Sequence, residues 1–250
     1  MYLTDAQLMS EIRRCEYCAT KPCKSACPCD CSPADFMMAA AGGSASDFKR
    51  AAGIILASNP LGGICGDVCP DHHCVAACSR EKFDFPIQIP AVQATIIKKA
   101  REMGVSPEFE LPPANGCKIA IVGGGPSGIG AAVALRQLGY EPEIFEAEEL
   151  GGQAALIPAA RLDRGMLMSD LMWVSDCFQI PHHRSEVSDP KTLLTEGFRA
   201  VLVAGGLNEA IRLNIPGDES AIYGMEILKQ PGCFLFKGKR IALVGGAIAA

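Results

Sequence analysis

The sequence predicts two parts in one chain: a helical, cysteine-rich N-terminal domain and a Rossmann-like α/β domain, an α+α/β class overall. Three observations carry that expectation. Ten of the 13 cysteines fall within the first 78 residues, a stretch with helix signals and few strand signals. From Lys118 onward, short apolar strands alternate with a helix rich in small residues. Between the first of those strands and the helix stands Gly123-Gly124-Gly125-Pro126-Ser127-Gly128, a G-x-G-x-x-G run.

The elements follow in order. Thr4 to Gln7 reads as a capping box opening a helix towards Arg14. Ser32, Pro33 and Asp35 supply a cap, a first-turn proline and a first-turn acid for a helix through Phe36 to Ala41, stopped by Gly42-Gly43. Asp47 to Ser58 is a helical run ended by Asn59-Pro60, and Pro90 to Met103 is another, closed by Gly104. This helical domain is expected over residues 1–105, followed by a proline-rich linker over 106–116.

The α/β domain is expected over 117–238. Lys118–Val122 reads as a strand, Ser127–Leu138 as a helix and Glu143–Phe145 as a second strand. Ala200–Val203 is a later strand, closed by Ala204-Gly205-Gly206, and His182-His183 is a solvated loop after Pro181. Lys239–Val244 reads as one more buried strand leading into Gly245-Gly246-Ala247, either the start of a second nucleotide-binding unit over 239–250 or a buried strand turn. One strand and a turn cannot bury their own faces, so that unit is expected to be incomplete.

Composition narrows the function classes. A 250-residue chain with 49% hydrophobic residues is globular, not disordered. Its 23 Lys+Arg against 28 Asp+Glu give a net charge of −5 with no basic cluster, which argues against nucleic acid or an anionic membrane as a partner. Met1 to Arg14 is polar and lacks the apolar core of a signal peptide. The most apolar stretch, Ile119 to Leu135, is broken by glycines and Pro126, so no membrane span is expected. A cytoplasmic chain in a reducing compartment is the expectation, and there dense cysteines more often hold metal than pair as disulfides.

The cysteines form two groups, Cys15-x2-Cys18-x4-Cys23-x3-Cys27-Pro28 and Cys65-x3-Cys69-Pro70-x3-Cys74-x3-Cys78. Such short loops let the backbone wrap a cubane iron–sulfur cluster with its amides turned to the sulfurs. The Cys-Pro closing the first group resembles the bacterial ferredoxin run, in which that cysteine serves the other of two clusters. The two groups are therefore expected to interleave. Cys74 and Cys78, one helical turn apart, can serve neighbouring clusters from one face. Structural zinc is the alternative reading, since CxxC pairs also build tetrahedral sites. Cys29, Cys31 and Cys65 exceed what two clusters require, and Cys117, Cys177 and Cys233 stand alone as small buried hydrophobes. His72 and His73 read as loop residues beside the site rather than ligands.

In the glycine run, Gly123 suits the tight turn, Gly125 the approach of a pyrophosphate and Gly128 close helix–strand packing. The helix opening at Pro126 and Ser127 then turns its unpaired amides to the phosphates. Glu146, 18 residues after Gly128, closes the second strand where a carboxylate accepts from ribose hydroxyls. An acid there disfavours a 2′-phosphate, so FAD or NAD is expected.

Cysteine groups, linker and α/β domain together resemble, along the whole chain, one family. It is the electron-input module shared by the glutamate synthase small subunit, the N-terminal half of dihydropyrimidine dehydrogenase and related ferredoxin–NADP transhydrogenase subunits. The segments Asn59-Pro60-Leu61-Gly62 and Pro86-Ile87-Gln88-Ile89 to Gln93 are most similar to the dihydropyrimidine dehydrogenase branch. The resemblance implies a helical domain with two [4Fe-4S] clusters, then a glutathione-reductase-like FAD domain with an NAD(P) domain inserted. It further implies one cluster on Cys15, Cys18, Cys23 and Cys78, and the other on Cys27, Cys69, Cys74 and the Gln93 amide. In the FAD domain it implies an adenosine and pyrophosphate clamp from Glu146 and Ala147 through Gly151, Gly152 and Gln153. Arg161, in Ile157-Pro158-Ala159-Ala160-Arg161-Leu162, would contact the flavin, and Val187 would meet the adenine through its backbone. The sequence departs from the family at Ala247 and Ile248, where a glycine and an acid are usual, and the segment that completes the FAD domain in the family is expected to be missing.

The functional expectation is an electron-transfer flavoprotein module. NAD(P)H reduces FAD by hydride transfer, and two [4Fe-4S] clusters carry single electrons to a partner subunit or domain. No side chain is needed as a catalytic acid, base or nucleophile. The alternative is a non-catalytic relay or scaffold subunit without its own nicotinamide site, which the altered second glycine motif favours.

Overall fold

Thr4 opens helix α1 (Asp5–Arg13) as its sequence dictates: its hydroxyl accepts from the Gln7 amide while the Gln7 side chain accepts from the Thr4 amide. The short α2 (Pro22–Ser25) and α3 (Pro33–Ala40) follow, each with a proline in its first turn. Ser32 does not cap α3, because its hydroxyl donates instead to Asp35 Oδ2 at 2.6 Å. Helix α4 (Ala45–Ser58) begins two residues before the sequence-based start, since Ser44 and Asp47 form a second capping box. These bounds come from a computed structural model that describes the chain apart from Met1, Asp71 and residues 108–109, 208–214 and 246–250.

Helix α5 (Gly62–Val68) was not expected, because three glycines in seven residues oppose helix formation by about 1 kcal/mol each. Packing explains it. A methyl group on Gly66 would stand 2.7 Å from the Ala94 amide nitrogen of helix α6 (Ile89–Glu102), and one on Gly62 would stand 2.3 Å from Ile55. The glycines let α5 press backbone to backbone on its neighbours, and the helix delivers Cys65 and Cys69 to their place.

The second half builds a four-stranded parallel sheet. Strands β1 (Lys118–Val122), β2 (Glu141–Glu146), β3 (His182–Arg184) and β4 (Ala200–Val203) lie in the order β3-β2-β1-β4. Helix α7 (Pro126–Gln137) links β1 to β2, and α8 (Arg164–Phe178) precedes β3. Two readings are corrected here. His182-His183 is edge strand β3, not a loop: Ile144 pairs with His182 and Phe145 with His183, and Phe145 stacks on the His183 ring. The stretch expected as a buried strand, Lys239–Val244, carries no strand pairing, and Leu243 is 89% exposed. An apolar run becomes a buried strand only when a neighbouring edge and a covering layer meet it, and the described residues supply neither. Ala247 and Ile248 lie outside the described residues.

Residues 1–206 form one compact unit and residues 207–250 another. Within the first, a continuous apolar core runs from Leu8, Phe36 and Ile55 through Ile96 to Ile121, Ile144, Leu171 and Phe178. The cysteine-bearing helices thus share their interior with the sheet. Three polar contacts stitch the same boundary: Arg101 with Asp170, Gln137 with the Ala57 carbonyl at 3.1 Å, and Arg161 with the Val68 carbonyl at 3.3 Å. The second unit holds a short helix, Gly224–Lys229, and its described side chains are at least partly exposed.

Candidate functional site

Four of the sequence-predicted ligands surround a single hollow. Cys15, Cys18 and Cys23 come from the loop and helix after α1, and Cys78 arrives from more than 50 residues later. The floor is apolar, with Ala34, Met37, Ile87 and Ile89. Backbone amides turn to the sulfurs: that of Tyr17 to Cys15, and those of Lys24 and Ala34 to Cys23. Burial raises both thiols above their ordinary range, and neighbouring sulfurs add to the rise. Sulfur anions crowded in this way repel one another unless cations sit among them.

The loop bearing these cysteines is held by a residue read from the sequence only as a first-turn acid. Asp35 accepts from Lys21 Nζ at 2.6 Å, Ser32 Oγ at 2.6 Å and Tyr17 Oη at 2.9 Å. Burial alone would raise its carboxyl, but these donors outweigh that and hold it below its ordinary value. Tyr17 and Lys21 both adopt left-handed backbone, φ 46° and 41°, which side chains other than glycine resist. Asp35 ties both strained residues to α3, and that bond fixes the spacing of Cys15, Cys18 and Cys23.

A second gathering lies around Cys27, Cys69 and Cys74, which sense one another electrostatically. Cys31 faces Cys27, Cys29 and Cys74, while Cys65 faces Cys29, Cys69 and Cys27. Burial pushes Cys74 and Cys31 up to about 12 and Cys65 up to about 11, and nearby sulfurs contribute. The three cysteines beyond the predicted ligand sets are thus neighbours of the second gathering. Asn59, buried at the end of α4, hydrogen-bonds the Cys65 sulfur, a contact that only the tertiary structure reveals. Gln93 is buried on α6, and its Nε2 donates to the Gly62 carbonyl at 2.7 Å, which fixes the amide plane. Cys74 and Cys78 part company, one to each gathering. Among the described residues, no three Cys, His, Asp or Glu side chains close on one point as a single metal ion requires.

At the carboxyl end of β1 the glycine run forms a cradle. Gly123 has φ 113°, and a methyl group there would stand 2.3 Å from the Ala204 carbonyl oxygen after β4. A methyl on Gly128 would stand 1.9 Å from the Gly123 carbonyl oxygen, so α7 can approach β1 only with glycine there. The Gly151-Gly152 turn lies across Gly125: a methyl on Gly152 would stand 2.9 Å from the Gly125 Cα, filling the space between them. Pro126 and Ser127 open α7 towards solvent, where its free amides can meet an anion. Glu146 accepts from the Gly124 amide at 2.6 Å and from the Glu148 amide at 2.9 Å, so its carboxylate sits over the cradle. Ala147 and Gln153 are exposed beside it. Arg161 is exposed and reaches the carbonyl of Val68, the residue before Cys69, linking the nucleotide half to the second cysteine gathering. Val187 packs its side chain under the sheet with Phe198 and Leu193.

A thiol-ringed hollow and a second gathering of thiols on a helical layer, joined to a phosphate cradle on a parallel sheet, define a redox protein of the iron–sulfur and dinucleotide-binding class. Residues 1–105 match the family described as dihydropyrimidine dehydrogenase domain II, 4Fe-4S cluster. Residues 117–250 match pyridine nucleotide-disulphide oxidoreductase, and the chain belongs to that family. The 4Fe-4S match sets aside the zinc reading of the cysteines. The chain is 32% identical over 211 residues to the NAD-dependent dihydropyrimidine dehydrogenase subunit PreT of Escherichia coli K12, covering 82% of this chain and 50% of that protein. It is 27% identical over 262 residues to the NADPH-Fe(3+) oxidoreductase subunit beta of Geobacter sulfurreducens, covering 100% of this chain and 38% of the relative. A further relative, the NADP(+)-dependent formate dehydrogenase subunit beta of Moorella thermoacetica, is 27% identical over 263 residues, 92% of this chain and 37% of its own. The chain therefore spans about half or less of the length of these curated relatives. No single helix among the described residues is long and apolar enough to cross a membrane.

Proposed function

We propose that this chain is the electron-transfer part of an NAD(P)H-dependent oxidoreductase subunit, holding FAD and two [4Fe-4S] clusters and serving a partner subunit that carries the terminal substrate site. The single observation that carries the reading is the convergence of Cys15, Cys18, Cys23 and Cys78 on one hollow within the same core as the glycine cradle. The relatives' names describe subunits of larger oxidoreductases, which supports the partner. FAD, when bound, accepts electrons in pairs and releases them one at a time, which a nicotinamide and a cluster each require.

In this reading the first cluster takes those four cysteines, and the second takes Cys27, Cys69, Cys74 and the Gln93 oxygen. The Nε2 bond of Gln93 to Gly62 leaves Oε1 as its ligating atom. Gly123, Gly125, Pro126, Ser127 and Gly128 hold the pyrophosphate. Glu146 and Ala147 border the ribose, Gly151, Gly152 and Gln153 close the clamp, and the Val187 backbone meets the adenine. Arg161 serves the flavin side. The organisation is a cluster domain over 1–105, a linker over 106–116, a glutathione-reductase-like FAD domain over 117–238 and the edge of an NAD(P) domain over 239–250. A cytoplasmic site accords with thiols kept reduced.

The test is an anaerobic titration of the FAD-loaded, cluster-replete protein with NADH and with NADPH, following flavin absorbance and electron paramagnetic resonance together. Flavin bleaching with reduced-cluster signals is the expected result. Intact cofactors that neither nicotinamide reduces would overturn it in favour of a relay subunit. Cys18→Ser should remove about half of the acid-labile sulfide, while Cys117→Ser should remove none.

A further inference from the structure

Ser79 directly follows Cys78 and lines the same hollow as Cys15, Cys18 and Cys23. Its hydroxyl oxygen lies 3.3 Å from Cys18 Sγ. While Cys18 is a thiol, its proton bridges the two atoms. A cysteine bound to iron is a thiolate and has no proton to give, so the same pair can then be joined only by Ser79 donating to sulfur. Ser79 is not free to swing away with its loop. It opens a one-turn 3-10 helix, Ser79–Lys82, whose Arg80 pairs with Asp84 and Glu16, while Arg14 holds the Phe85 carbonyl just beyond.

The charged neighbours leave this hydroxyl a distinct part. Lys21 and Arg80 line the hollow, but Lys21 is paired with Asp35, and Arg80 with Asp84 and Glu16. Glu16, which also lines the hollow, is the partner of Arg80, and the remaining lining of Pro22, Ala34, Met37, Ile87 and Ile89 is apolar. A neutral donor in such surroundings interacts more strongly than it would in water. Reduction adds negative charge that spreads onto the ligand sulfurs, so a donor at Cys18 stabilises the reduced form more than the oxidised one.

We infer that Ser79 is a positioning residue for the first cluster: its hydroxyl donates to the Cys18 sulfur and raises that cluster's reduction potential. This rests on the reading of Cys15, Cys18, Cys23 and Cys78 as that cluster's ligands.

Potentiometric titration monitored by electron paramagnetic resonance tests it on the anaerobically prepared protein and on Ser79→Ala, Ser79→Val and Ser79→Thr. Valine and threonine have the same shape and differ in the hydroxyl, so their comparison stands even where the alanine variant loses iron. The expected result is one midpoint shifted to lower potential in S79A and S79V, restored in S79T, with the other cluster's midpoint unmoved. Unchanged midpoints in cluster-replete S79V, or an equal drop in S79T, would overturn the role of Ser79 and leave the cluster reading standing. Absence of acid-labile sulfide from the wild-type protein would sink both, and is a separate result.

Discussion

Replacing Gly128 with alanine adds one methyl group at the point where α7 meets β1, 1.9 Å from the Gly123 carbonyl oxygen. To reach even the 3.0 Å below which such contacts are essentially never seen, helix and strand must separate by about 1.1 Å. Neither backbone yields easily, because the Gly123 amide is bonded to the Phe145 carbonyl across β2. Overpacking of this kind costs about 1–3 kcal/mol. The gain of roughly 1 kcal/mol from replacing a helical glycine offsets part of it, leaving a net destabilisation of about 0–2 kcal/mol. The shift also draws the α7 amides away from the cradle, so flavin affinity should fall at least about tenfold, equivalent to about 1.4 kcal/mol. Gly130, two residues on in the same helix, has open space where its methyl would go. Gly130→Ala should therefore stabilise the protein by about 0.5–1 kcal/mol, an upward melting shift of about 1–4 °C. Thermal melting and bound-flavin content of the two variants, measured side by side, decide the matter. If G128A keeps its flavin and melts with G130A, the close-approach argument is wrong.

Other perturbations reach the remaining parts. Asp35→Ala frees the strained Tyr17 and Lys21 and should speed iron loss to a chelator several-fold for one cluster, with Asp35→Asn intermediate; equal release rates would show the hub to be idle. Glu146→Ala removes a charged acceptor worth about 1.5–3 kcal/mol and should weaken flavin binding by at least about tenfold in a fluorescence titration, whereas unchanged affinity removes Glu146 from the site. Asp170 is buried, and burial pushes it up to about 6 despite Arg101 opposite. The unfolded chain releases that proton near 3.8 and the folded chain near 6, so the folded state binds more protons in between. Stability from this group therefore falls as pH rises from about 4 to about 6, by roughly 3 kcal/mol. Urea unfolding of the wild type and Asp170→Asn across that window should diverge accordingly, and parallel curves would refute the assignment.

Several elements were readable from short stretches of chain. The Thr4–Gln7 capping box, the strand Lys118–Val122 and the strand Ala200–Val203 stand where their own residues put them, because caps and short apolar runs act within a few positions. Helix α8 was missed although its signals were present: Asp163 accepts from the Met166 amide, and Leu167, Leu171, Val174 and Phe178 repeat at helical spacing. Helix α5 was missed for the opposite reason, since its glycines argue against a helix until Ile55, Asp170 and the α6 backbone are seen against them. The strand expected over Lys239–Val244 shows the converse, an apolar run whose burial depends on neighbours that sequence alone does not supply.

The sequence by itself determined the chemistry, because cysteine spacing and a glycine run encode ligand type and backbone freedom within single loops. The family resemblance already implied that Cys78 joins Cys15 while Cys74 joins Cys69; only the tertiary structure showed that Asp35 anchors the first loop and that Ser79 faces Cys18. Those pairings join residues tens of positions apart, and the packing of helices, rather than any local preference, sets the distances between them.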